Sequence, residues 1–181
     1  MPLSRSPSMR LPAMSPQLTL QDAQQSLTAH LDSKGAAIHA KYGPRIGYQQ
    51  LQLILADRDC TRYPCEIVYS DMPLRDGEFA HPVAKTDQPE DGFLMHVHPF
   101  FAVEPAHVPA LVLYQLVLVN YGDFASPEDA EIFGSAVLGI PQEDYYTTLC
   151  ELADLVSEGV ATASPAALAE TGCSGGGCLR C

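Results

Sequence analysis

Charge is scarce in this chain, and positive charge is scarcest. Only 18% of its 181 residues are Asp, Glu, Lys or Arg, below the usual quarter, and ten Lys and Arg stand against 22 Asp and Glu. The net charge of −12 argues against a nucleic-acid surface, which needs basic side chains to replace the counterions along phosphates. Acidity of this kind reads first as a device for solubility, with an acidic docking face for a basic partner as the alternative. Long apolar runs are missing as well. The longest, Val108 to Val119, falls short of the roughly 20 residues that span a bilayer, so no membrane partner is expected. The first fifteen residues carry Arg5 and Arg10 and several prolines but no apolar core of signal-peptide length. A soluble, cytoplasmic protein is the expectation. There is no phosphate-binding glycine loop either: Gly172 to Gly177 contains no lysine and follows no strand.

What is present is 46% hydrophobic sequence, enough for one core with tails. Residues 1–16 are rich in Ser, Pro and Met and are expected to be a disordered tail; 17–170 read as a single domain, and 171–181 as a flexible Cys/Gly-rich tail. Within the domain, Thr19 caps a helix expected over Leu20–Ser33, with Gly35 as its terminator and a further turn over Ala36–Lys41. Leu51, Leu53 and Leu55 alternate with polar or other residues and suggest a strand. Cys65–Tyr69, Glu78–Ala84 and Phe93–Val97 supply three more, giving a small antiparallel sheet over about 48–103. Three C-terminal helices follow: Ala110–Asn120, one entered at Ser126-Pro127-Glu128-Asp129 and ending near Leu138, and Gln142–Ser157. The fold class is α+β, the sheet packed against an N-terminal helix and these three. Tyr114, Tyr121, Tyr145 and Tyr146 are expected in the core.

The chemistry concentrates in Gly92-Phe-Leu-Met-His-Val-His-Pro-Phe-Phe101. On a strand, His96 and His98 would project from one face, and two imidazoles so placed are half of a transition-metal site. His81 is the nearest candidate for a third ligand, since pairing Glu78–Ala84 with Phe93–Val97 brings it close. Glu78, Glu66, Asp71 or Cys65 could complete the set. Zinc and iron suit these ligands equally, and an open position would permit activation of water or redox chemistry. The competing account is that each histidine is satisfied by backbone in a half-buried sheet. His30 and His39 are expected to face solvent, and His107 to neighbour a helix cap. The letters His96-Val-His98-Pro99 are similar to the His-x-His-Pro core of JAMM-type zinc isopeptidases, in which a later Ser-x-x-Asp supplies the third zinc ligand. Here Ala106 to Leu111 holds neither Ser nor Asp, so the resemblance ends at four residues.

The second signal is the tail Cys173-Ser-Gly-Gly-Gly-Cys178-Leu-Arg-Cys181. Its C-x4-C-x2-C spacing resembles that of the first three cluster ligands of plant-type [2Fe–2S] ferredoxins, with Cys150, Cys60, Cys65 or another subunit left to supply a fourth thiolate. It describes equally well a mobile, oxidisable thiol appendage. Cys60 and Cys65 lack the C-x-x-C spacing of redox or zinc pairs and read as partly buried small residues. The functional expectation is therefore a cytoplasmic metal-binding protein. His81, His96 and His98 would bind the ion, and the cysteine tail would handle metal or an iron–sulfur cluster. The alternative is a non-catalytic accessory protein that docks a partner through its acidic face. A pocket for a small ligand between sheet and helices is a third possibility.

Overall fold

The structure, a computed structural model, describes residues 19–162. It is α+β: among the described residues there are five α-helices and a three-stranded mixed sheet, with α3 packed on β2 and β3. The expected tails at 1–16 and 171–181 lie outside the described residues. Helix α1 (Leu20–Tyr42) opens on a reciprocal cap in which Thr19 Oγ1 accepts from the Asp22 backbone N–H and the Asp22 carboxylate accepts from the Thr19 N–H. Helix α4 (Pro127–Leu138) opens the same way on Ser126 and Asp129, and closes on Gly139 in the left-handed region at φ 69°. Helix α3 (Val108–Tyr121) is buried on nearly every face, and α5 (Gln142–Thr162) packs on α4 and α3.

Gly35 does not stop α1. The helix runs on through it, and the glycine is buried where α1 crosses α4. A Cβ there would lie 2.6 Å from Ala136 Cβ and 2.9 Å from the Phe133 carbonyl oxygen. The missing side chain lets two backbones approach, which is a packing role and not a terminating one. A second close approach sits nearby. Gly134 leaves room for the ring of fully buried Tyr145, whose hydroxyl donates to the Ala110 carbonyl at 2.6 Å. Tyr146, one residue on, is 54% exposed and outside the core.

The segment expected to be the first strand is helix α2 (Tyr48–Ala56). Leu51, Ile54 and Leu55 are its buried positions, at spacings of three and four, while Leu53 points outwards at 57% exposure. Apolar Ile54 gives the segment its helical stripe, and Gln50 secures the start by accepting from the Gly47 N–H at 3.1 Å. The sheet accordingly begins later, with β1 (Cys65–Tyr69), β2 (Ala80–Ala84) and β3 (Phe93–Val97) in the order β1-β3-β2. β3 pairs antiparallel with β2 but parallel with β1, so the sheet is mixed and not purely antiparallel. Cys65, Ala80, Met95 and Val97 turn one face into the core. On the other face stand Glu66, Val68, Leu94, His96, His81 and Val83, by alternation along each strand.

Candidate functional site

The register places His81 directly opposite His96 on β2 and β3. Opposed residues on antiparallel strands have Cβ atoms about 4.5–5.5 Å apart, close enough for two imidazoles to converge on one ion. The Nδ1 of His81 lies 3.2 Å from Glu78 Oε1. That carboxylate favours the tautomer with the proton on Nδ1 and a free lone pair on Nε2, the arrangement by which carboxylates orient metal-binding histidines. Glu78 is itself held, since its Oε2 accepts from the Arg75 N–H at 3.0 Å. His96 is half-buried, and its Nδ1 is shielded from solvent with no hydrogen-bond partner among the described residues. Two rings thus share one wall of the sheet.

His98 is used differently. Its N–H extends the ladder by donating to the Phe79 carbonyl at 2.9 Å, and the chain then turns into a short 3-10 segment, Pro99–Ala102. The ring caps that turn, with Nδ1 accepting from the Phe100 N–H at 3.3 Å. Accepting there requires an unprotonated Nδ1, so a neutral His98 carries its proton on Nε2. Among the described residues, no three His, Cys, Asp or Glu side chains are gathered closely enough to hold a metal ion. The register sets His81 and His96 opposite each other on one sheet face, and among the described residues neither His98 nor another donor joins them in a metal-binding group. Cys173, Cys178 and Cys181 lie outside the described residues.

Of the other candidates, Glu66 pairs with Lys85 across the outer sheet face. Asp71 lines a cavity of about 550 Å³ with His98 and the α5 residues Val156 and Ser157. Cys65 is buried, and that burial pushes its thiol up to about 12. Cys60 is pushed up to about 11, by burial first and then by donating to Asp57 Oδ2 at 3.2 Å. At neutral pH both therefore stay as thiols and are poor nucleophiles or ligands. Of the remaining histidines, His30 is exposed and meets the Tyr121 hydroxyl at 3.0 Å, and His107 stands at the start of α3. His39 does not face solvent freely. Its Nδ1 meets the Val137 carbonyl at 2.9 Å, and its ring occupies the space where a Cβ on Gly139 would sit.

Two polar centres draw on partners that the sequence did not announce. Asp57 accepts from Lys41 Nζ at 2.6 Å, the Tyr42 hydroxyl at 2.7 Å, the Asp59 N–H at 2.9 Å and the Cys60 thiol, which holds its carboxyl well below the usual range. Asp129, 1% exposed, joins α4 to α1. Burial alone would raise its pKa, but bonds from Thr28, the Ser126 backbone and hydroxyl, and Gln24 outweigh that and lower it. The capping pattern at Ser126-x-x-Asp129 was visible in the sequence, but the partners 101 and 105 residues away were not.

No protein-family model matches the chain, and no curated protein or solved structure matches it either. None of the helices among the described residues is long and apolar enough to cross a membrane.

Proposed function

We propose that this is a cytoplasmic transition-metal-binding protein. In this reading His81 and His96 form the fold-borne half of the site, and the thiolates of Cys173, Cys178 and Cys181 supply the other half. The observation that carries the reading is the cross-strand pair itself: two imidazoles in register on one face, one of them oriented by Glu78. Two histidines with two of these three thiolates suit tetrahedral zinc, and the same donors accept iron or anchor an iron–sulfur cluster. Helix α5 carries Val156 and Ser157 to the cavity beside His98, at the end of β3 where His96 stands. Ten residues lie between Thr162 and Cys173, so eleven residue steps would cover at most about 36–40 Å if extended. His98 stays on its turn and contributes no ligand.

The test is metal analysis of full-length protein purified without an affinity tag, alongside its visible absorption. The reading expects one equivalent of zinc or iron, lost in the paired His81→Ala and His96→Ala variant, reduced when the three tail cysteines become serine, and retained in His98→Ala. A visible charge-transfer band removed by the same serine substitutions assigns the iron–sulfur form. Folded protein with no metal, or metal indifferent to His81 and His96, overturns the reading. Co-purification of a basic partner in that event favours the accessory protein docking through its acidic helices.

A further inference from the structure

Cations are few in this chain, and they are unevenly placed. Of its ten Lys and Arg, Arg5, Arg10 and Arg180 lie outside the described residues, which leaves seven. Lys41 and Lys85 are held in ion pairs with Asp57 and Glu66. Three others, Lys34, Arg58 and Arg62, line one hollow of about 250 Å³, and none of the three makes an ion pair among the described residues. Lys34 comes from α1, both arginines from the loop between α2 and β1, and Asn120 and Tyr121 join them from the end of α3. That loop is built rigidly. Asp57 Oδ1 accepts from the Asp59 N–H at 2.9 Å, and the Asp57 carbonyl accepts from the Cys60 and Thr61 N–H groups, both at 2.9 Å. Buried Asn120 pins the loop to α3: its Oδ1 accepts from the Arg62 N–H at 2.8 Å, and its Nδ2 donates to the Cys60 carbonyl at 3.3 Å. The Arg62 guanidinium lies over the Tyr63 ring, 5.3 Å from its centroid, which limits its swing and leaves its in-plane N–H groups for an acceptor.

We propose that this hollow binds a dianionic phosphate group, as inorganic phosphate or a small phosphate monoester. Its lining carries three positive side chains and one negative, Asp59, so a doubly charged group brings it to neutrality and a single carboxylate does not. The planar fork of an arginine matches two oxygens of a phosphate, and Lys34 adds a point charge. The remaining ionisable groups do not oppose an anion. Burial raises the Cys60 thiol and the Tyr121 hydroxyl above their ordinary values, so both are neutral at pH 7. Against that burial, Lys34 favours the ionised form of Cys60 and Arg62 that of Tyr121, so both positive charges are felt inside the hollow. The volume lies below that of ordinary small-molecule pockets, which suits one phosphoryl group and not a nucleotide-sized body. The carboxyl ends of α2 and α3 lie beside the hollow and also draw cations, a structural role that the experiment separates from binding.

The experiment titrates full-length protein, treated with chelator and dialysed, with inorganic phosphate, glycerol phosphate, acetate and succinate, following backbone amide chemical shifts. At about pH 7.5 both phosphates are mostly doubly charged. Saturable binding of the phosphates, tighter than acetate or succinate by about tenfold or more, is expected, with the largest shifts at residues 58–62 and 120–121. A tighter grip on inorganic phosphate assigns the free ion, and a tighter grip on glycerol phosphate assigns the ester. Arg58→Gln and Arg62→Gln, both exposed, each weaken phosphate about three- to tenfold and together remove saturable binding. Arg45→Gln, the same change of net charge at an exposed cation outside the hollow, leaves the affinity unchanged. Lys34→Gln gives the answer from the α1 side even where a loop variant fails to fold. Equal affinity for phosphate and acetate, a loss in Arg45→Gln matching that in Arg62→Gln, or shifts centred elsewhere overturns the proposal. So does an absence of saturable binding, which leaves the three cations as partners of the helix ends alone.

Discussion

Replacing Gly35 with alanine tests the close contact between α1 and α4. In an exposed helix interior the change would stabilise by about 1 kcal/mol, because alanine is the better helix former. Here the new methyl carbon would sit 2.6 Å from Ala136 Cβ and 2.9 Å from the Phe133 carbonyl oxygen. Carbon atoms rest at about 3.5–4.0 Å, so α1 and α4 must part by roughly 1 Å where they now touch. Overpacking of this kind costs about 1–3 kcal/mol, and it also loosens the part-buried bonds from Thr28 and Gln24 to Asp129 along the same seam. The net expectation is a loss of about 1–2 kcal/mol, or roughly 3–4 °C in Tm for each kcal/mol at this size. Urea unfolding of the wild type, Gly35→Ala, Ala136→Gly and the double variant forms a cycle. Ala136→Gly alone costs about 1 kcal/mol as a helix defect, but in the double variant it relieves one clash, so a coupling of about 0.5–1.5 kcal/mol is expected. The carbonyl of Phe133 stays in the way, so the rescue is incomplete. Ser33→Ala, on the exposed side of the same helix, should raise stability slightly. A Gly35→Ala protein as stable as the wild type, or a coupling of zero, refutes the close-packing account.

Gly139→Ala should lower Tm more than a propensity argument predicts, because the position combines φ 69° with a His39 ring atom 2.4 Å from the new Cβ; differential scanning calorimetry with His39→Ala as the second member of the pair checks it. Asp129→Ala should cost about 2 kcal/mol by leaving Thr28 and Gln24 without their acceptor, read from denaturant midpoints. Asp57 has a folded-state pKa below its unfolded one. The stability it contributes is therefore present above the ordinary Asp range near pH 4 and lost as pH falls below it. Asp57→Asn should flatten the fall of Tm between about pH 5 and 3, and an unchanged slope would show that the cluster does not stabilise the fold.

Capping chemistry was the most legible part of the sequence. Thr19 with Asp22, and Ser126-Pro127 with Asp129, start helices where the side chains themselves satisfy the first free N–H groups, a local interaction needing no knowledge of the fold. Gly35 misled because a glycine that ends a helix and one that admits a neighbouring helix look alike until the neighbour is known. Leu51, Leu53 and Leu55 misled because a short apolar run fits both periods, and only the burial of Ile54 and exposure of Leu53 separate them. The pairing of β2 with β3, and with it the meeting of His81 and His96, followed from hairpin spacing. The parallel partnership of β1 did not, since sequence distance says nothing of strand direction once another strand intervenes. His98 stood at the expected place, and a proline after it turned the chain so that its ring was spent on a local bond. The basic hollow carried no signal at all: Lys34 and the loop holding Arg58 and Arg62 are neighbours only in the fold.

The seam between α1 and α4 has a consequence for how the chain is made. Gln24 finds its partner 105 residues later, and Thr28 finds the same one 101 residues on. During synthesis the first helix must therefore wait, its apolar stripe of Leu27, Leu31 and Ile38 uncovered, until most of the domain has left the ribosome. Productive folding of a nascent chain is thus a late event here, and the interval before it is when a chaperone would have the most to hold.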